Sequence, residues 1–311
     1  KKHATNQKAE EEFQEFVTME DGTGIVHVAA GHGATDHYFG KHYKLPIVSP
    51  VDEKGLFTAK VKEFEGKFVK SADKLIIAKL ENEGKLLFQE KITHSYPLCW
   101  RCKSPLIFRL SRQWYLSVEP IKEKMVAANE KVNWLPEFGK EAMNNWLEET
   151  VDWCISQQRF WGIPLPVWVC SDCGKKKVIG SVDELRKNAT KDPGVLNDLH
   201  RHSVDAITLK CECGKEMQRV KDILNVWFDS SIAPWASFGY PHKNKELFER
   251  YAKNHLVDLI TESQDQVRGW FYVLLFTGMA TFGRKAYDNC AMMGWVVDEK
   301  GVKMSKSVGN V

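Results

Sequence analysis

The sequence predicts an α/β fold with a parallel sheet, because short apolar strand patterns alternate with longer helical ones in its C-terminal half. Strands are expected at residues 223–228, 256–260 and 292–297, and a long apolar helix is expected to begin near Asp265. In addition, six of the eight cysteines form close pairs. In a chain without a secretory signal, such pairs favour metal-binding turns over disulfides.

The N-terminal third has a pattern of its own. A strand is expected at residues 25–30, followed by a sharp turn at Gly31-His32-Gly33 and a short helix over residues 36–41. Apolar residues recur at helical spacing from 71 to 87, and the pattern breaks near Pro97. A domain junction is therefore expected at that proline.

Composition limits the classes of function. The 311 residues are 43% hydrophobic, enough for a sizeable core and about two domains, and 44 basic against 41 acidic residues do not point to a polyanionic partner. The longest apolar run, residues 269–283, is shorter than the roughly 20 residues of a bilayer span, so no membrane partner is expected. The N-terminus carries neither an initiating Met nor a secretory signal, so a truncated chain is expected. Close cysteine pairs in a chain without such a signal favour a reducing, cytoplasmic location.

Two cysteine pairs have the spacing of a complete metal site. Cys170-x2-Cys173 and Cys211-x-Cys213 are each followed by glycine, and four thiolates on two tight turns suit tetrahedral Zn2+. The alternative is two unrelated reduced pairs. If the site forms, all four positions are filled by protein, so its role is structural.

The third pair, Cys99 and Cys102, is half of such a site, and its other ligands are expected outside this chain. A redox Cys-x-x-Cys is the alternative, but redox pairs lie at a helix N-terminus, which Pro97 and Pro105 disfavour here. The two remaining cysteines, Cys154 and Cys290, are expected to be small buried side chains.

A short basic loop, Lys303-Met304-Ser305-Lys306-Ser307, follows the last predicted strand and a turn at residues 298–301. Two lysines and two hydroxyls on such a loop can follow the phosphates of ATP and neutralise charge as pyrophosphate leaves. An ordinary solvated surface loop is the alternative interpretation.

A polar segment lies between a predicted strand and the apolar helix, where open α/β sheets bind ligands. Its Glu262, Asp265 and Gln266 are suited to a ribose diol and an amino group, although Asp265 could simply cap the helix. Trp227 and Trp270 flank this segment in sequence. They are candidates for the walls of an apolar pocket, and core packing is the alternative for each.

Seven segments, taken in order, resemble isoleucyl-tRNA synthetases, a class I synthetase family. They are Gly31-His32-Gly33-x2-Asp36, Cys99-Trp100-Arg101-Cys102, Asp152-Trp153-Cys154-Ile155-Ser156, Arg159-Phe160-Trp161-Gly162, Trp227-Phe228-Asp229-Ser230, Asp265-Gln266-x-Arg268-Gly269-Trp270-Phe271 and the basic loop. Valyl and leucyl relatives share the last loop, and the form of the other motifs favours the isoleucyl family. A valyl-type synthetase and a zinc-ribbon RNA-binding module without catalysis remain as alternatives.

The resemblance implies a domain order. Residues 1–95 would be the C-terminal part of a β-rich editing domain, and 96–168 a return segment into the catalytic domain. Residues 169–221 would be a zinc-ribbon-like insert, and 222–311 the second half of a Rossmann-like catalytic domain. The family's His-Ile-Gly-His motif and anticodon-binding domain are absent from these residues. The chain alone is therefore expected to have negligible aminoacylation activity.

The resemblance also implies roles for individual residues. His27 and Asp36 would belong to the editing pocket, with Asp36 holding the ammonium group of a misplaced amino acid. The synthetic site would use Trp227 and Trp270 for the isoleucine side chain, Glu262, Asp265 and Gln266 for the aminoacyl-adenylate, and Lys303, Ser305 and Lys306 for ATP with Mg2+. The parent enzyme would act as a monomer on isoleucine, ATP and tRNA(Ile).

Four positions depart from the family's usual residues. Ser231 and Ser263 stand where glycine is typical, Gln157 where arginine is, and Ala30 where proline is. Ser263 matters most, because its side chain would crowd the adenylate if the backbone there needed a positive φ or a close approach to the ligand.

Overall fold

The computed structural model describes residues 24–91, 93–99, 102–253, 255–305 and 309–310. They form two compact units, which divide between Arg112 and Gln113. Among the described residues, no helix has both the length and the apolar character needed to cross a membrane.

In its described residues the N-terminal unit contains mainly helices and isolated β-bridges, whereas a β-rich domain was expected there. It contains α1 (Ala34–His42), a 3-10 helix (Ala59–Phe64) and α2 (Val69–Asn82). Both expected helices are therefore present. The second ends earlier than predicted, because the chain turns at Gly84, whose φ of 64° is in the left-handed region that glycine tolerates.

The strand predicted at residues 25–30 is wrong. Residues 25–29 have no regular secondary structure, and Ala30 already belongs to the turn that leads into α1. The apolar sequence has strand propensity, but a strand also requires a hydrogen-bonded neighbour. None of the strand pairs in the described part of the chain includes this segment.

The C-terminal unit contains the predicted parallel sheet. Its strands are β2 (Asn133–Leu135), β10 (Leu259–Ser263) and β11 (Asn289–Met293), in the order β10-β11-β2, and both pairs are parallel. The observed β10 and β11 are each displaced by three or more residues from their predicted positions. Leu256 explains the first error, because it is fully buried in the core yet lies before the ladder begins.

Helix α10 (Trp270–Phe282) forms the centre of this unit. Nine consecutive residues, 271–279, are buried, so the helix is apolar on every face. It begins five residues later than expected near Asp265, because a 3-10 helix (Gln264–Arg268) precedes it. Its end at Gly283 has a φ of 70°.

Shorter helices surround α10 and the sheet. They are α3 (Lys122–Asn129), α4 (Phe138–Glu149), α7 (Val226–Ser231), α8 (Ala233–Ala236) and α9 (Lys245–Tyr251). The strand expected at residues 223–228 is only partly present, as β9 (Ile223–Leu224). Asn225 ends it, because its side chain accepts a hydrogen bond from the Trp227 amide at 2.9 Å and caps α7.

An antiparallel sheet with its own core lies between residues 167 and 219. Its strands are β5 (Val167–Cys170), β6 (Lys176–Val178), β7 (Leu209–Lys210) and β8 (Glu216–Arg219), in the order β6-β5-β8-β7. Two small helices accompany it, α5 (Val182–Asn188) and α6 (Arg201–Val204). Two further strand pairs join β1 (Tyr115–Leu116) to β3 (Trp153–Cys154) and β4 (Ser156–Gln157) to β9.

A buried arginine fastens the two ends of this insert together. Arg219 Nη1 donates to the carbonyls of Leu165 and Asp222, each at 3.0 Å, and its Nε donates to Asp205 Oδ1 at 2.7 Å. Leu165 lies just before the sheet and Asp222 just after it. Burial lowers the pKa of the Arg219 guanidinium, while the Asp205 carboxylate opposes that change.

A buried amide network supports the parallel sheet. Asn129 is fully buried, and its Nδ2 donates to the Lys140 carbonyl at 3.1 Å and to Asn144 Oδ1 at 2.8 Å. Its Oδ1 accepts from Trp134 Nε1 at 3.0 Å. Trp134 is the β2 side chain that faces the core, and its indole N–H therefore has a hydrogen-bond partner on α3.

Asn129→Ala is expected to lower the free energy of unfolding by about 1–3 kcal/mol, because it leaves the indole N–H of Trp134 buried without a partner. Asn145→Ala is the matched control, since Asn145 is exposed on α4. Urea denaturation of the two variants measures the difference. Equal stability of the two would contradict this account of the network.

Candidate functional site at the carboxyl edge of the parallel sheet

The polar segment picked out in the sequence lies at the carboxyl edge of the parallel sheet. Glu262 and Ser263 are the last residues of β10, and the 3-10 helix that carries Asp265 and Gln266 turns the chain into α10. Strand β11 is the direct neighbour of β10, with Glu262 opposite Met292. The segments that follow both strands therefore leave the same edge, where parallel sheets bind ligands.

Gly269 lets two candidate side chains approach the start of α10. A Cβ at this position would lie 2.7 Å from Gln266 Oε1 and 3.2 Å from Trp227 Cη2. Gln266 Oε1 accepts a hydrogen bond from the Trp270 amide at 3.1 Å. The structure thus brings Trp227, Gln266 and Trp270 together around a glycine, and 38% of the Trp227 surface remains exposed.

Two hydrogen bonds hold α7 against α10. Trp270 Nε1 donates to the Ser230 carbonyl at 3.0 Å, and Thr277 Oγ1 donates to the Ser231 carbonyl at 2.7 Å. Ser231 is fully buried, and its hydroxyl donates to the Phe228 carbonyl at 2.7 Å. The serine at this usual glycine position is therefore accommodated. Burial raises the pKa of the Asp229 carboxyl on the same helix.

The acidic candidates face solvent. Glu262 and Asp265 are exposed, and the hydroxyl of Ser263 donates to the Asp265 carboxylate. The backbone of Ser263 has a φ of −75°. Because this value lies in the ordinary extended region, the backbone conformation at this position does not require glycine, and the serine hydroxyl is hydrogen-bonded to the neighbouring carboxylate.

The basic loop forms a hairpin after β11. Val297 bridges Lys303, Met304 N donates to the Val296 carbonyl at 3.0 Å, and the expected turn closes where Gly301 N donates to the Asp298 carbonyl at 2.9 Å. The Lys303 ammonium lies 3.0 Å from the centroid of the Trp295 ring.

The amide of Ser305 donates to Asn310 Oδ1 at 2.9 Å. Lys306 and Ser307, the other candidates of the loop, lie outside the described residues. The described part of the loop is thus held by the side chains of Trp295 before it and Asn310 after it.

The four cysteines of the insert converge as their spacing predicted. The Sγ atoms of Cys170, Cys173, Cys211 and Cys213 all lie within 4.8 Å of one another. Two of the sulfur–sulfur distances are 3.6 Å and 3.5 Å, far longer than a disulfide bond and close to the roughly 3.8 Å separation of thiolates around tetrahedral zinc. Gly174 and Gly214 form the turns, with φ of 70° and 83°.

The pKa values of these thiols show why the cluster suits a cation. Hydrogen bonds from the Cys173 backbone lower the pKa of the Cys170 thiol to about 7. At Cys213 the Lys215 amide acts in the same direction, but the neighbouring thiols and burial outweigh it and raise the pKa to about 12. The Cys170 thiolate therefore forms readily, whereas deprotonation of Cys213 is unfavourable among its neighbours. A bound cation would favour the deprotonated form of Cys213.

The Cys99 and Cys102 pair forms a similar turn in the N-terminal unit. Lys103 N donates to the Cys99 carbonyl at 2.8 Å, and a hydrogen bond with the Ser104 hydroxyl lowers the pKa of the Cys102 thiol to about 7. Residues 102–104 are not helical, so the helix N-terminus of a redox pair is absent from this described segment. Trp100 and Arg101 lie outside the described residues.

The two editing candidates lie at either side of the glycine turn. Asp36 is in the first turn of α1, where its carboxylate folds over Gly33, so that a Cβ on Gly33 would lie 2.3 Å from Asp36 Oδ2. His27 is exposed. In the described residues the two side chains form no hydrogen bond or ion pair with each other. Gly31 is required for packing, because a Cβ there would lie 2.3 Å from the Val48 carbonyl oxygen.

Three residues that matter at the site were not identified from the sequence: Gly269, Trp295 and Asn310. Gly269 was part of a motif, but only the structure reveals the side chains that crowd it. The Asp298-x-x-Gly301 turn is a sequence signal that the segments before and after it pair with each other. This signal could have indicated that Trp295, before the turn, lies near the basic loop after it. No sequence pattern pointed to Asn310.

A family described as tRNA synthetases class I (I, L, M and V) matches residues 5–311. The isoleucine–tRNA ligase of Methanopyrus kandleri is 46% identical over 308 residues, which cover 96% of this chain and 28% of that protein. The Methanocaldococcus jannaschii enzyme of the same name is 48% identical over 299 residues, with 96% and 28% covered. The Treponema denticola one is 47% identical over 298 residues, with 95% and 26% covered. The chain thus spans about a quarter of the length of these relatives.

Gly269→Ala is expected to displace Gln266 and lower the free energy of unfolding by about 1–2 kcal/mol, because the new methyl group competes with the hydrogen bond to the Trp270 amide. Gly294→Ala is the control, since no atom lies within 4 Å of its would-be Cβ. Urea denaturation compares the two. A Gly269→Ala variant as stable as Gly294→Ala would contradict the close packing around the glycine.

Proposed function

Because this chain belongs to the class I tRNA synthetases of the I, L, M and V group, we propose that the full-length protein activates isoleucine with ATP and transfers it to tRNA(Ile). The resemblance to isoleucyl-tRNA synthetases is confirmed by relatives of that name over 95–96% of the chain, which disfavours the valyl alternative. The observation that carries the proposal is the carboxyl-edge site, where Trp227, Gln266 and Trp270 meet beside the strand that leads into the basic loop.

In this proposal the aromatic side chains bind the amino acid. Trp227 and Trp270 line a pocket for the apolar isoleucine side chain, and the exposed part of Trp227 is the surface left for it. The Gln266 amide, together with the exposed carboxylates of Glu262 and Asp265, contacts the polar part of the aminoacyl-adenylate. The carboxylates accept hydrogen bonds, and the amide has both an acceptor oxygen and an NH2 donor, so this set is suited to an ammonium group and to ribose hydroxyls.

The reaction follows from the charges that must be balanced. A carboxylate oxygen of isoleucine forms a bond to the α-phosphorus of ATP, and the bond from that phosphorus to the bridging oxygen breaks, which releases pyrophosphate. Lys303 and Lys306 neutralise the charge that grows on the leaving group, and Ser305 contacts the phosphates. Mg2+ arrives with the triphosphate as part of the substrate.

Proofreading is proposed for the N-terminal part of the chain. An apolar pocket separates side chains that differ by one methylene only about 10- to 200-fold, a limit for which this enzyme family is itself the standard example. A second, hydrolytic pocket for Val-tRNA(Ile) would use Asp36 to hold the ammonium group and His27 beside it. Asp36 fits this role because its carboxylate lies at a turn of two glycines.

The proposed domain organisation follows the family. Residues 1–95 belong to the editing domain, 96–168 return the chain to the catalytic domain, 169–221 form a zinc-ribbon-like insert, and 222–311 complete the Rossmann-like domain. The separate core of the four-stranded antiparallel sheet supports the third of these assignments. The protein is proposed to act as a cytoplasmic monomer.

Zinc is the proposed metal of the cysteine cluster. Four sulfurs within 4.8 Å of one another leave no open coordination position, so Zn2+ would stabilise the insert and take no part in the reaction. Cys99 and Cys102 are proposed as half of a second zinc site. Their turn resembles the other two, with Lys103 in the left-handed region at a φ of 59°.

Trp227→Ala in the full-length protein is expected to raise the KM for isoleucine about 10- to 100-fold, because it removes one apolar wall of the pocket. Isoleucine-dependent ATP–pyrophosphate exchange measures this value, and the KM for ATP in the same variant is the internal control. Trp227→Phe should recover most of the loss. If the wild-type protein catalyses ATP–pyrophosphate exchange faster with valine than with isoleucine, the proposal is wrong.

Cys211→Ser is expected to remove one zinc ion per chain, because the remaining three thiolates no longer close a tetrahedral site. Elemental analysis of the purified full-length protein measures the metal content. Cys154→Ser is the matched control, since Cys154 lies outside the cluster. Equal zinc content in the two variants would show that the cluster does not hold the metal.

A further inference from the structure

Lys303 does not extend freely into solvent as a surface lysine usually does. Its ammonium lies 3.0 Å from the centroid of the Trp295 ring, which places the charge on the face of the indole. Cation–π contacts of this kind are attractive and are strongest with tryptophan. In the described residues Lys303 has no carboxylate partner, so the indole is the group that holds its side chain.

The backbone that carries the lysine is fixed from the opposite strand of the hairpin. Lys303 pairs with Val297, and Asp298 N donates to the Val302 carbonyl at 2.9 Å. The Asp298 carboxylate then closes the turn, because its Oδ1 accepts from the amides of Lys300 at 3.0 Å and Val302 at 2.9 Å. The position of the lysine relative to the indole is thereby set by the fold of the hairpin.

Asn310 braces the other side of the same loop. Its Nδ2 donates to Asp298 Oδ2 at 2.8 Å, and its Oδ1 accepts from the Ser305 amide at 2.9 Å. The side chain therefore connects the turn to the residue two places after Lys303. Because hydrogen bonds hold both ends of residues 298–305, the remaining conformational freedom of Lys303 is mainly in its side chain.

The indole limits that remaining freedom. A lysine side chain loses rotamer entropy when it is immobilised, and part of this cost is already met when the ammonium rests on a ring. The ring covers one side of the ammonium only, and Lys303 as a whole is exposed, so N–H donors remain open to an approaching anion.

We propose that Trp295 is a positioning residue: it holds the Lys303 ammonium on the open surface of the loop, ready for the triphosphate of ATP. This inference rests on the proposed function of the basic loop. The neighbouring Lys300 lacks such an arrangement, since its ammonium has no partner in the described part of the chain. Charge alone therefore does not single out Lys303, whereas its contact with the indole does.

A double-mutant cycle tests whether Trp295 acts through Lys303. The variants are Trp295→Leu, Lys303→Met and the combination of the two, in the full-length protein. Trp295→Phe serves as the conservative variant and Lys300→Met as the control for loss of a nearby charge. Isoleucine-dependent ATP–pyrophosphate exchange gives kcat/KM for ATP, and the KM for isoleucine reports whether each variant is intact.

Trp295→Leu is expected to lower kcat/KM for ATP roughly 2- to 30-fold, the range that a cation–π contact supports. Trp295→Phe should recover part of this loss, because phenylalanine keeps an aromatic face. In the Lys303→Met background, Trp295→Leu should cause no further loss, and Lys300→Met alone should change little. The KM for isoleucine should stay near the wild-type value throughout.

Different failures of the experiment have different meanings. The fold-losses of Trp295→Leu and Lys303→Met could multiply in the double variant, or Trp295→Leu could have no effect while Lys303→Met is impaired. Either result would show that Trp295 does not position Lys303. The inference would then be overturned while the proposed function of the loop would stand. If Lys303→Met itself leaves kcat/KM for ATP unchanged, the proposed function of the loop fails, and the inference fails with it.

A spectroscopic measurement tests the contact without relying on activity. In protein labelled with 5-fluorotryptophan, the 19F resonance of Trp295 is assigned by its absence from Trp295→Phe. This resonance is expected to shift in Lys303→Met and to stay in place in Lys300→Met. If the chemical shift of this resonance is unchanged in Lys303→Met, Lys303 does not contact Trp295 and the proposal is overturned, even if every variant folds and is active.

Discussion

The burial of α10 is the constraint on which the rest of the C-terminal unit depends. Nine consecutive residues of this helix are removed from water, so no face of it is left for solvent and every neighbour must pack against it. At roughly 1.5–3 kcal/mol for a fully buried large apolar side chain, this helix is a dominant source of stabilisation. The parallel sheet, α3, α4, α8 and α9 all contribute side chains to the same core.

The location of the site follows from this packing. The N-terminus of α10 is fixed where β10 ends, which places Gln266 and Trp270 at the carboxyl edge of the sheet. The hydrogen bond from Thr277 to the Ser231 carbonyl, halfway along the helix, holds α7 in place and with it Trp227. The arrangement of candidate side chains thus depends on a helix of which only the first residue, Trp270, belongs to the candidate site.

Several features could be predicted from the sequence because they depend on local pattern. The apolar run that became α10 is too long and too uniform to be anything but a buried helix, and the cysteine spacings alone brought four sulfurs together. The parallel sheet was predicted from the alternation of elements. The bounds of its strands were not predicted correctly. An apolar residue such as Leu256 indicates burial, but it does not show where the hydrogen-bonded ladder begins.

Other features depended on partners that a linear pattern does not reveal. Residues 25–30 have strand propensity without a paired strand, and Asn225 converts the expected end of a strand into a helix cap. The contact between Lys303 and Trp295 joins side chains across a turn, so it depends on the register of the hairpin. In the same way, the close packing of Trp227 and Gln266 around Gly269 exists because α7 is packed onto α10. The candidate residues were therefore accessible to sequence reasoning, but their arrangement was not.

The most direct test of the central claim is an experimental structure of the full-length protein with a non-hydrolysable isoleucyl-adenylate analogue. The isoleucine side chain is expected to lie against Trp227 and Trp270 at the carboxyl edge of β10, with the adenylate next to Gln266. An analogue bound away from this edge, or a bound analogue with no contact to either tryptophan, would contradict this expectation.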